Sequence, residues 1–346
     1  MIKHIALFAG MGGFIYATQK LGIQTVWANE VDSKCCDTLS FNFPEIEISR
    51  KSISHLDQAD IDKIPENIDL LTAGFPCQSF SQAGGDFKAF NDPRGKLFFD
   101  IPRIIGLMKA PPKVVLLENV PNLKIYDKGS LLRTVLSEMK FAGYWVKDQH
   151  AQIINSADYG NTPQRRERLF VVCAHKRYFK TNPFDFAQMR KTPTPNLFDV
   201  IDRDQRVGEE HYLSRESKYF HMIDQLAQKH DRNRLFQIRR VEARACPPGV
   251  CPTLTANMGG GGHNVPFVFD KFGLRRLTES ECLRMQGFDD TRVKVPDHVL
   301  PKDLYQMVGN AVSVNTVAAI IKQIETQLIL TLEKEYAPEE RVAISA

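Results

Sequence analysis

His4-Ile5-Ala6-Leu7-Phe8-Ala9-Gly10-Met11-Gly12-Gly13 decides the fold of this chain. The apolar run from His4 to Phe8 predicts a short buried strand, the glycines a tight turn, and the apolar spacing from Phe14 to Leu21 a helix. Glycine lets backbone approach a ligand closely, and the helix N-terminus behind it offers unpaired N–H groups. A second strand, Thr25 to Asn29, ends at Glu30, a carboxylate suited to accepting hydrogen bonds from ribose hydroxyls. Nicotinamide dinucleotides and S-adenosylmethionine both carry such a ribose, so the pair of features indicates an adenosine cofactor. Ile15 stands where a G-x-G-x-x-G fingerprint has its third glycine, which favours the adenosyl cofactor without a pyrophosphate.

Working outward, three more predicted strands carry polar residues at their ends. The run Ile68 to Leu71 is broken by Gly74 and Pro76, leaving Cys77 of Gly74-Phe75-Pro76-Cys77-Gln78-Ser79 on a loop. Lys113 to Leu117 ends in Glu118-Asn119-Val120-Pro121, and Gln164-Arg165-Arg166-Glu167-Arg168 runs into Leu169 to Cys173. The carboxyl edge of an open α/β sheet is where ligands bind. Free cysteine is usually packing, so it is this company that marks Cys77 as chemical. Strand alternation is expected to turn one of Arg166 and Arg168 with the core face. Gln78 to Lys96, with three glycines and with Lys88 and Arg94, reads as a lid or binding loop. Helices are predicted over Ser33 to Phe43, Leu97 to Met108 and Ser130 to Phe141, and a strand over Trp145 to Ile154. Adjacent Cys35 and Cys36 read as packing.

The 346 residues are 43% hydrophobic and 25% charged, enough for one large and one smaller domain. No apolar run approaches the roughly 20 residues that span a bilayer, and Met1-Ile2-Lys3-His4 leads straight into a strand, so a cytoplasmic protein without membrane contact is expected. Seven scattered cysteines fit reduced thiols. Cys246, Cys251 and His263 lack a second cysteine pair and are not a zinc set, so no metal is expected. From about Tyr178 to Phe272 the α/β rhythm gives way to prolines and polar stretches. Six basic residues there, Lys229, Arg232, Arg234, Arg239, Arg240 and Arg244, face two acids, Asp231 and Glu242, ahead of Thr253 to Met258 and Gly259 to Gly262. That composition suits phosphate positioning and base-edge readout. Val317 to Leu332 reads as a long amphipathic helix.

Taken in order, Phe8 to Gly13, Gly74 to Ser79, Glu118-Asn119-Val120, Gln164 to Arg168, Arg276-Leu277-Thr278 with Glu281-Cys282 and Gln286-Gly287-Phe288, and Gly309-Asn310-Ala311-Val312 resemble the bacterial DNA (cytosine-5) methyltransferases over nearly the whole chain. The resemblance implies an α/β, doubly wound S-adenosylmethionine-dependent sheet with a smaller target-recognition domain. Residues 1–177, completed by a C-terminal helix 302–332, would form the first; 178–301 the second; 333–346 would be a frayed tail. It implies transfer of a methyl group from S-adenosyl-L-methionine to C5 of a flipped-out cytosine in double-stranded DNA, leaving S-adenosyl-L-homocysteine. Cys77 would be the nucleophile at C6, Glu118 would hold N3 and the exocyclic amine, and Arg166 would contact O2 with Arg168 in support.

For the cofactor the resemblance implies Phe8, Ala9, Gly10, Gly12, Gly13, Glu30, Val31, Ser52, Ile53, Pro76, Leu97, Asn310 and Val312. Ser52 departs from the family, which has an aspartate for the adenine amine, and Val31 stands where some relatives stack an aromatic ring. For DNA it implies Gln78, Ser81, Lys88, Arg94, Gln164, Arg234, Arg239, Arg240, Arg244, Thr253, Asn257 and Gly260, with parts of this segment similar to relatives that recognise CC-containing palindromes. A monomer acting on each half-site is the family's pattern, which includes both enzymes with a cognate restriction endonuclease for the same site and orphan enzymes without one. An RNA cytosine methyltransferase would use the same catalytic set. A nicotinamide oxidoreductase leaves Cys77, Glu118 and the arginines unexplained, and a non-catalytic DNA-binding homologue would lack a catalytic motif.

Overall fold

The computed structural model of the protein describes residues 1–76, 95–239, 241–260, 264–330 and 332. In chain order it begins with β1 (Lys3–Leu7), α1 (Gly13–Lys20), β2 (Gln24–Asn29), α2 (Ser33–Asn42), β3 (Glu47–Ser49), the single turn α3 (Gln58–Ile61) and β4 (Leu70–Gly74). There follow α4 (Asp100–Leu107), β5 (Val114–Asn119), α5 (Asn122–Ile125), α6 (Ser130–Phe141), β6 (Tyr144–Trp145), β7 (Ala151–Asn155), α7 (Ser156–Tyr159) and β8 (Glu167–His175). Strands β1 to β5 pair in parallel in the order β3-β2-β1-β4-β5, and antiparallel β8 extends the sheet, with β6 and β7 both pairing to it. The order reverses between β1 and β4, the switch point at which such sheets bind ligands. Because β8 runs the other way, its first residues lie on the same edge as the carboxyl ends of β1, β2, β4 and β5.

The central strands are apolar on both faces because helices cover both; all six residues of β5 are buried. His4 is a polar exception inside β1. Its two ring nitrogens reach the Thr25 and Thr72 hydroxyls at 2.8 Å each, and burial pushes its pKa down to about 3, so it sits neutral between three strands.

The expected strand from Trp145 to Ile154 is interrupted: a 3-10 turn at Asp148–His150 separates β6 from β7 along one edge. The expected helix from Leu97 starts as a 3-10 turn, Gly95–Phe99, before α4. Arg166 and Arg168 are two residues apart, so period-two alternation sends both to the same side, not to opposite ones. It is Arg165, exposed beside Glu167 at 3.7 Å, that points away.

Beyond β8 come α8 (Lys218–Ala227), β9 (Phe236–Arg239), β10 (Glu242–Ala245), β11 (Phe267–Phe269) and β12 (Leu274–Arg276), then α9 (Glu279–Met285), α10 (Pro301–Asn310) and α11 (Val314–Ile324). Strands β9 to β12 form a second, antiparallel sheet in the order β10-β9-β11-β12, with Ile223 and Ala227 of α8 in its small core. The predicted C-terminal helix is two helices broken at Ala311 to Ser313, the second ending in a π turn, Glu325–Ile329. The stretch Pro301–Ile329 is long and apolar enough by length and composition to cross a bilayer, but Lys302, Asp303, Lys322 and Glu325 interrupt it and 72% of its most apolar window is buried in the protein.

The second sheet is fastened by charge. Arg275, at 0% exposure, gives Nε to Asp270 at 2.7 Å and its fork to Glu281 at 2.8 Å, while the Tyr212 hydroxyl donates to Asp270 at 2.9 Å. Glu281 also caps α9 by accepting from the Thr278 N–H, so one network joins β12, the turn before it and α9. Removing one partner of such a buried network strands the other charges in a dry interior. Arg275→Ala is expected to lower unfolding stability by about 3–5 kcal/mol in urea titrations; a loss below about 1 kcal/mol would make the network no more than a surface ion pair.

Candidate active site

The segments following β1 to β5, the start of β8, and α10 with the residues after it line a cavity of about 520 Å³ at the carboxyl edge of the large sheet. The turn after β1 forms one wall. Phe8 and Gly10 take positive φ of 53° and 56°, and Gly12 caps α1 at 97°. For the bulky Phe8 this left-handed conformation costs on the order of 1–3 kcal/mol, a strain that the glycines on either side of Met11 help the turn to hold. Glu30, after β2, locks the turn: its Oε2 accepts from the Gly10 N–H at 2.7 Å and Oε1 from the Val31 and Asp32 N–H groups at 2.7 and 2.9 Å. A carboxylate held by three backbone donors is fixed in place and keeps lone pairs facing the cavity.

Of the residues expected at a cofactor, Phe8, Ala9, Gly10, Gly13, Glu30, Val31, Ser52, Ile53, Pro76, Leu97, Asn310 and Val312 all line this one space. Gly12 does not. A Cβ there would lie 2.9 Å from Leu39 Cδ2, so its role is close packing of the turn on α2. Gly13 is tighter, with Val312 Cγ2 2.7 Å from where its Cβ would be. Val31 is 64% exposed at the rim, and the Ser52 hydroxyl lies 3.0 Å from that of Ser54.

The far wall carries the charged groups. Glu118, at the end of β5, is buried, with Oε1 3.1 Å from Arg168 Nε. Gly74 leaves it room, since a Cβ there would come within 3.3 Å of Glu118 Oε2. Burial raises the Glu118 pKa, and the Arg168 and Arg166 guanidiniums pull against that rise. Asn119 donates to the Phe75 carbonyl at 2.9 Å, tying the β4 loop to β5.

Arg166 is 2% exposed and is used in two ways. Its Nη1 donates to the Leu254 carbonyl at 2.7 Å, and Nη2 to the carbonyls of Gly309 and Ala311 at 3.1 and 2.6 Å. Its Nε, buried at the cavity wall, has no partner among the described residues. Burial and the neighbouring Arg168 both press its pKa down from the usual arginine value, yet guanidinium stays charged in proteins, so an unused N–H here is a donor waiting for an acceptor.

A second cleft, of about 460 Å³, lies between the start of β8 and the second sheet. Arg239, Arg244 and Thr253 line it together with Arg165 and Arg168. Arg168 lines both spaces, so the cleft and the cavity meet at its side chain. Other residues expected at DNA are elsewhere. Gln164 is fully buried, donating to the Met285 carbonyl at 2.9 Å and accepting from the Leu254 N–H at 3.1 Å, which makes it an internal tie and corrects its assignment to DNA. Arg234 donates to the Asp231 carbonyl and lies outside the cleft wall, while Asn257 and Gly260 sit exposed on a 3-10 turn against α10. Cys77, Gln78, Ser81, Lys88, Arg94 and Arg240 lie outside the described residues, as does His263. Cys246 and Cys251 are buried thiols whose pKa values burial raises, the first to about 12, and they pack.

Asp303 and Gln306 also line the cavity and were not expected there. With Asn310 they fall at i, i+3 and i+7 of α10, one helical face, a spacing that the sequence displays. Asp303 holds Lys34 of α2 at 2.6 Å across the cavity wall.

Comparison with known proteins agrees with this geometry. The C-5 cytosine-specific DNA methylase family matches residues 2–326. The type II methyltransferase M.Bsp6I of Bacillus sp. (strain RFL6) is 35% identical over 331 residues, covering 95% of this chain and all (100%) of that protein. M.HhaI of Haemophilus parahaemolyticus is 32% identical over 343 residues, 94% of this chain and 95% of its own. In fold, the S. pombe Dnmt2 methyltransferase matches 94% of the chain with a TM-score of 0.67 at 17% identity, and the Entamoeba histolytica methyltransferase EhMeth 95% with 0.68 at 19%. A family match across nearly the whole length, on a sheet whose carboxyl edge gathers the glycine turn, Glu30, Glu118 and the two arginines around one cavity, places this chain among the C-5 cytosine-specific DNA methylases as a DNA cytosine-5 methyltransferase.

Proposed function

We propose that this enzyme methylates C5 of a cytosine flipped out of a specific double-stranded DNA sequence, through a covalent bond between Cys77 and C6, and releases S-adenosylhomocysteine. The observation that carries this reading is the meeting of the arginine-lined cleft and the cofactor-sized cavity at Arg168, beside Glu118. A stacked base cannot reach a wall of that kind, and extruding one costs a few kcal/mol, which contacts in the pocket must offset. S-adenosylmethionine supplies an electrophilic methyl group when bound. Glu30, held by the turn, would accept from its ribose hydroxyls, and Ser52 with Ile53 and Val31 would meet the adenine, the Ser52 hydroxyl taking the amine that an aspartate takes in relatives.

Cytosine C5 is too weak a nucleophile unaided. The Cys77 thiolate would add to C6, pushing the ring electrons towards N3 and C5; C5 then takes the methyl as its bond to sulfur breaks. Loss of the C5 proton and expulsion of the thiolate restore the ring. Glu118, its pKa raised, would share a proton with N3 and accept from the exocyclic amine, and the unpartnered Arg166 Nε would donate to O2. Arg168 would orient Glu118. Pro76, the residue before Cys77 in sequence, lines the cavity. In the same reading residues 178–301 carry target recognition, residues 1–177 with 302–332 carry catalysis, and the protein works as a monomer in the company of a restriction endonuclease for the same site.

Tritiated methyl transfer to duplex DNA against tRNA, with bisulfite sequencing of DNA from cells expressing the chain, tests this directly. Duplex DNA methylated at one defined sequence is expected; label on tRNA alone would move the substrate to RNA. Cys77→Ser is expected to abolish turnover while leaving cofactor affinity within about twofold, as a nucleophile outside the binding contacts should; normal turnover by this variant would sink the covalent step. Glu118 adds a pH signature. The folded protein holds its proton more tightly than the unfolded chain does, so its contribution to stability is complete below the ordinary carboxylate pKa and is lost as pH rises through the raised folded value. Urea unfolding should therefore show wild type losing ground to Glu118→Gln as pH climbs from the acidic range towards neutral, and parallel curves would contradict it.

A further inference from the structure

The β9–β10 hairpin divides its side chains between two faces. Phe236 pairs with Ala245 and Ile238 with Ala243, and these four belong to the small core over α8. By period-two alternation the opposite face carries the pairs Gln237 with Arg244 and Arg239 with Glu242. Gln237, Arg239 and Arg244 line the cleft that leads to Arg168. Glu242 is exposed, with an oxygen 3.6 Å from Arg244 Nη2.

A surface built only to hold phosphates has no use for a carboxylate, since two like charges repel across the interface. Base edges are different. In the major groove a G·C pair presents two acceptors, O6 and N7, on guanine and one donor, the N4 amine, on cytosine. Arg244 next to Glu242 is the complementary pattern, a donor fork beside an acceptor. A two-stranded ribbon also fits that groove, which is about 12 Å wide. On the cleft wall Arg165, Arg168, Arg239 and Arg244 stand against Glu167, an excess of positive charge that fits a polyanionic partner, and Glu242 lies beside that wall on Arg244.

Resting on the reading of this protein as a duplex-DNA methyltransferase, we propose that the outer face of the β9–β10 hairpin enters the major groove and that Arg244 and Glu242 together read one G·C base pair of the recognition site outside the flipped cytosine. Arg244 would donate to guanine O6 and N7, and Glu242 would accept from the cytosine amine of the same pair. Glu242 is thus a specificity residue where its charge alone would weaken binding.

The test is methylation of a duplex library randomised around the wild-type site and read by bisulfite sequencing, for wild type, Glu242→Ala and Arg244→Lys. Lysine keeps the charge of Arg244 but not its fork. Each variant is expected to lose discrimination at the same single G·C pair by about 5- to 150-fold, the range of one good base contact, with the other positions of the site unchanged. Unchanged preference at every position, with Glu242→Ala methylating all duplexes faster because a repulsive charge has gone, would overturn the proposal while leaving the methyltransferase reading intact. A wild type that methylates no duplex DNA would remove both. Both residues are exposed, so equal thermal midpoints for the three proteins are expected, and a preference change seen only in a variant that melts early would count against the contact.

Discussion

Arg166 joins three parts of the chain that are distant in sequence. From the start of β8 its guanidinium donates to Leu254, 88 residues on, and to Gly309 and Ala311, 143 and 145 residues on. The first partner belongs to the segment between β10 and β11, the other two to the last turn of α10 and the break after it. Buried carbonyls at a helix end need donors, and a buried guanidinium needs acceptors, so each satisfies the other. The tie, together with the apolar packing of α11 on α1, holds the C-terminal helices, with Asn310 and Val312, against the turn after β1. Gln164 repeats the device two residues earlier, through Met285, Gln286 and Leu254.

The same strand start serves chemistry through alternation. Arg166 and Arg168 share a face, so one residue type at one spacing supplies a structural fork, an unused donor and a partner for Glu118. Burial favours the protonated carboxyl of Glu118 and two guanidiniums favour the ionised one, and burial outweighs them. A bound base carrying its own donors and acceptors would shift that balance further. The cleft wall carries an excess of positive charge, and the hairpin beside it sets Glu242 against Arg244.

Much of this was legible in the chain because it is local. Strand, glycine turn and helix at His4 to Leu21 depend on neighbours in sequence, as does the placing of Glu30 and Glu118 at strand ends. The family resemblance rested on the same short motifs. What escaped was long-range or directional. Gln164 sits in a polar run and was assigned to DNA, whereas its partners are folded in from more than a hundred residues away. Arg166 and Arg168 share one face against the expected division between two, and period two alone is enough to place them so. Within the basic run from Lys229 to Arg244, charge counting did not separate Arg232, which reaches Asp224 and lies over the Phe269 ring, from Arg239 and Arg244, which face the cleft. Only the strand register makes that distinction.

Attack by Cys77 on a cytosine delivered through the cleft, beside Glu118 and the cofactor cavity, is the step on which the proposed chemistry turns. It is tested most directly by a duplex whose target cytosine carries fluorine at C5. Addition at C6 and methyl transfer can proceed on it, but the final elimination needs a C5 proton that fluorine replaces, so the protein–DNA bond persists. The expected result is a denaturant-stable adduct, dependent on S-adenosylmethionine, whose mass equals protein plus oligonucleotide plus one methyl group less the thiol hydrogen and whose modified peptide contains Cys77. Methylation of the ordinary duplex with no adduct on the fluorinated one, or an adduct at another residue, would contradict it.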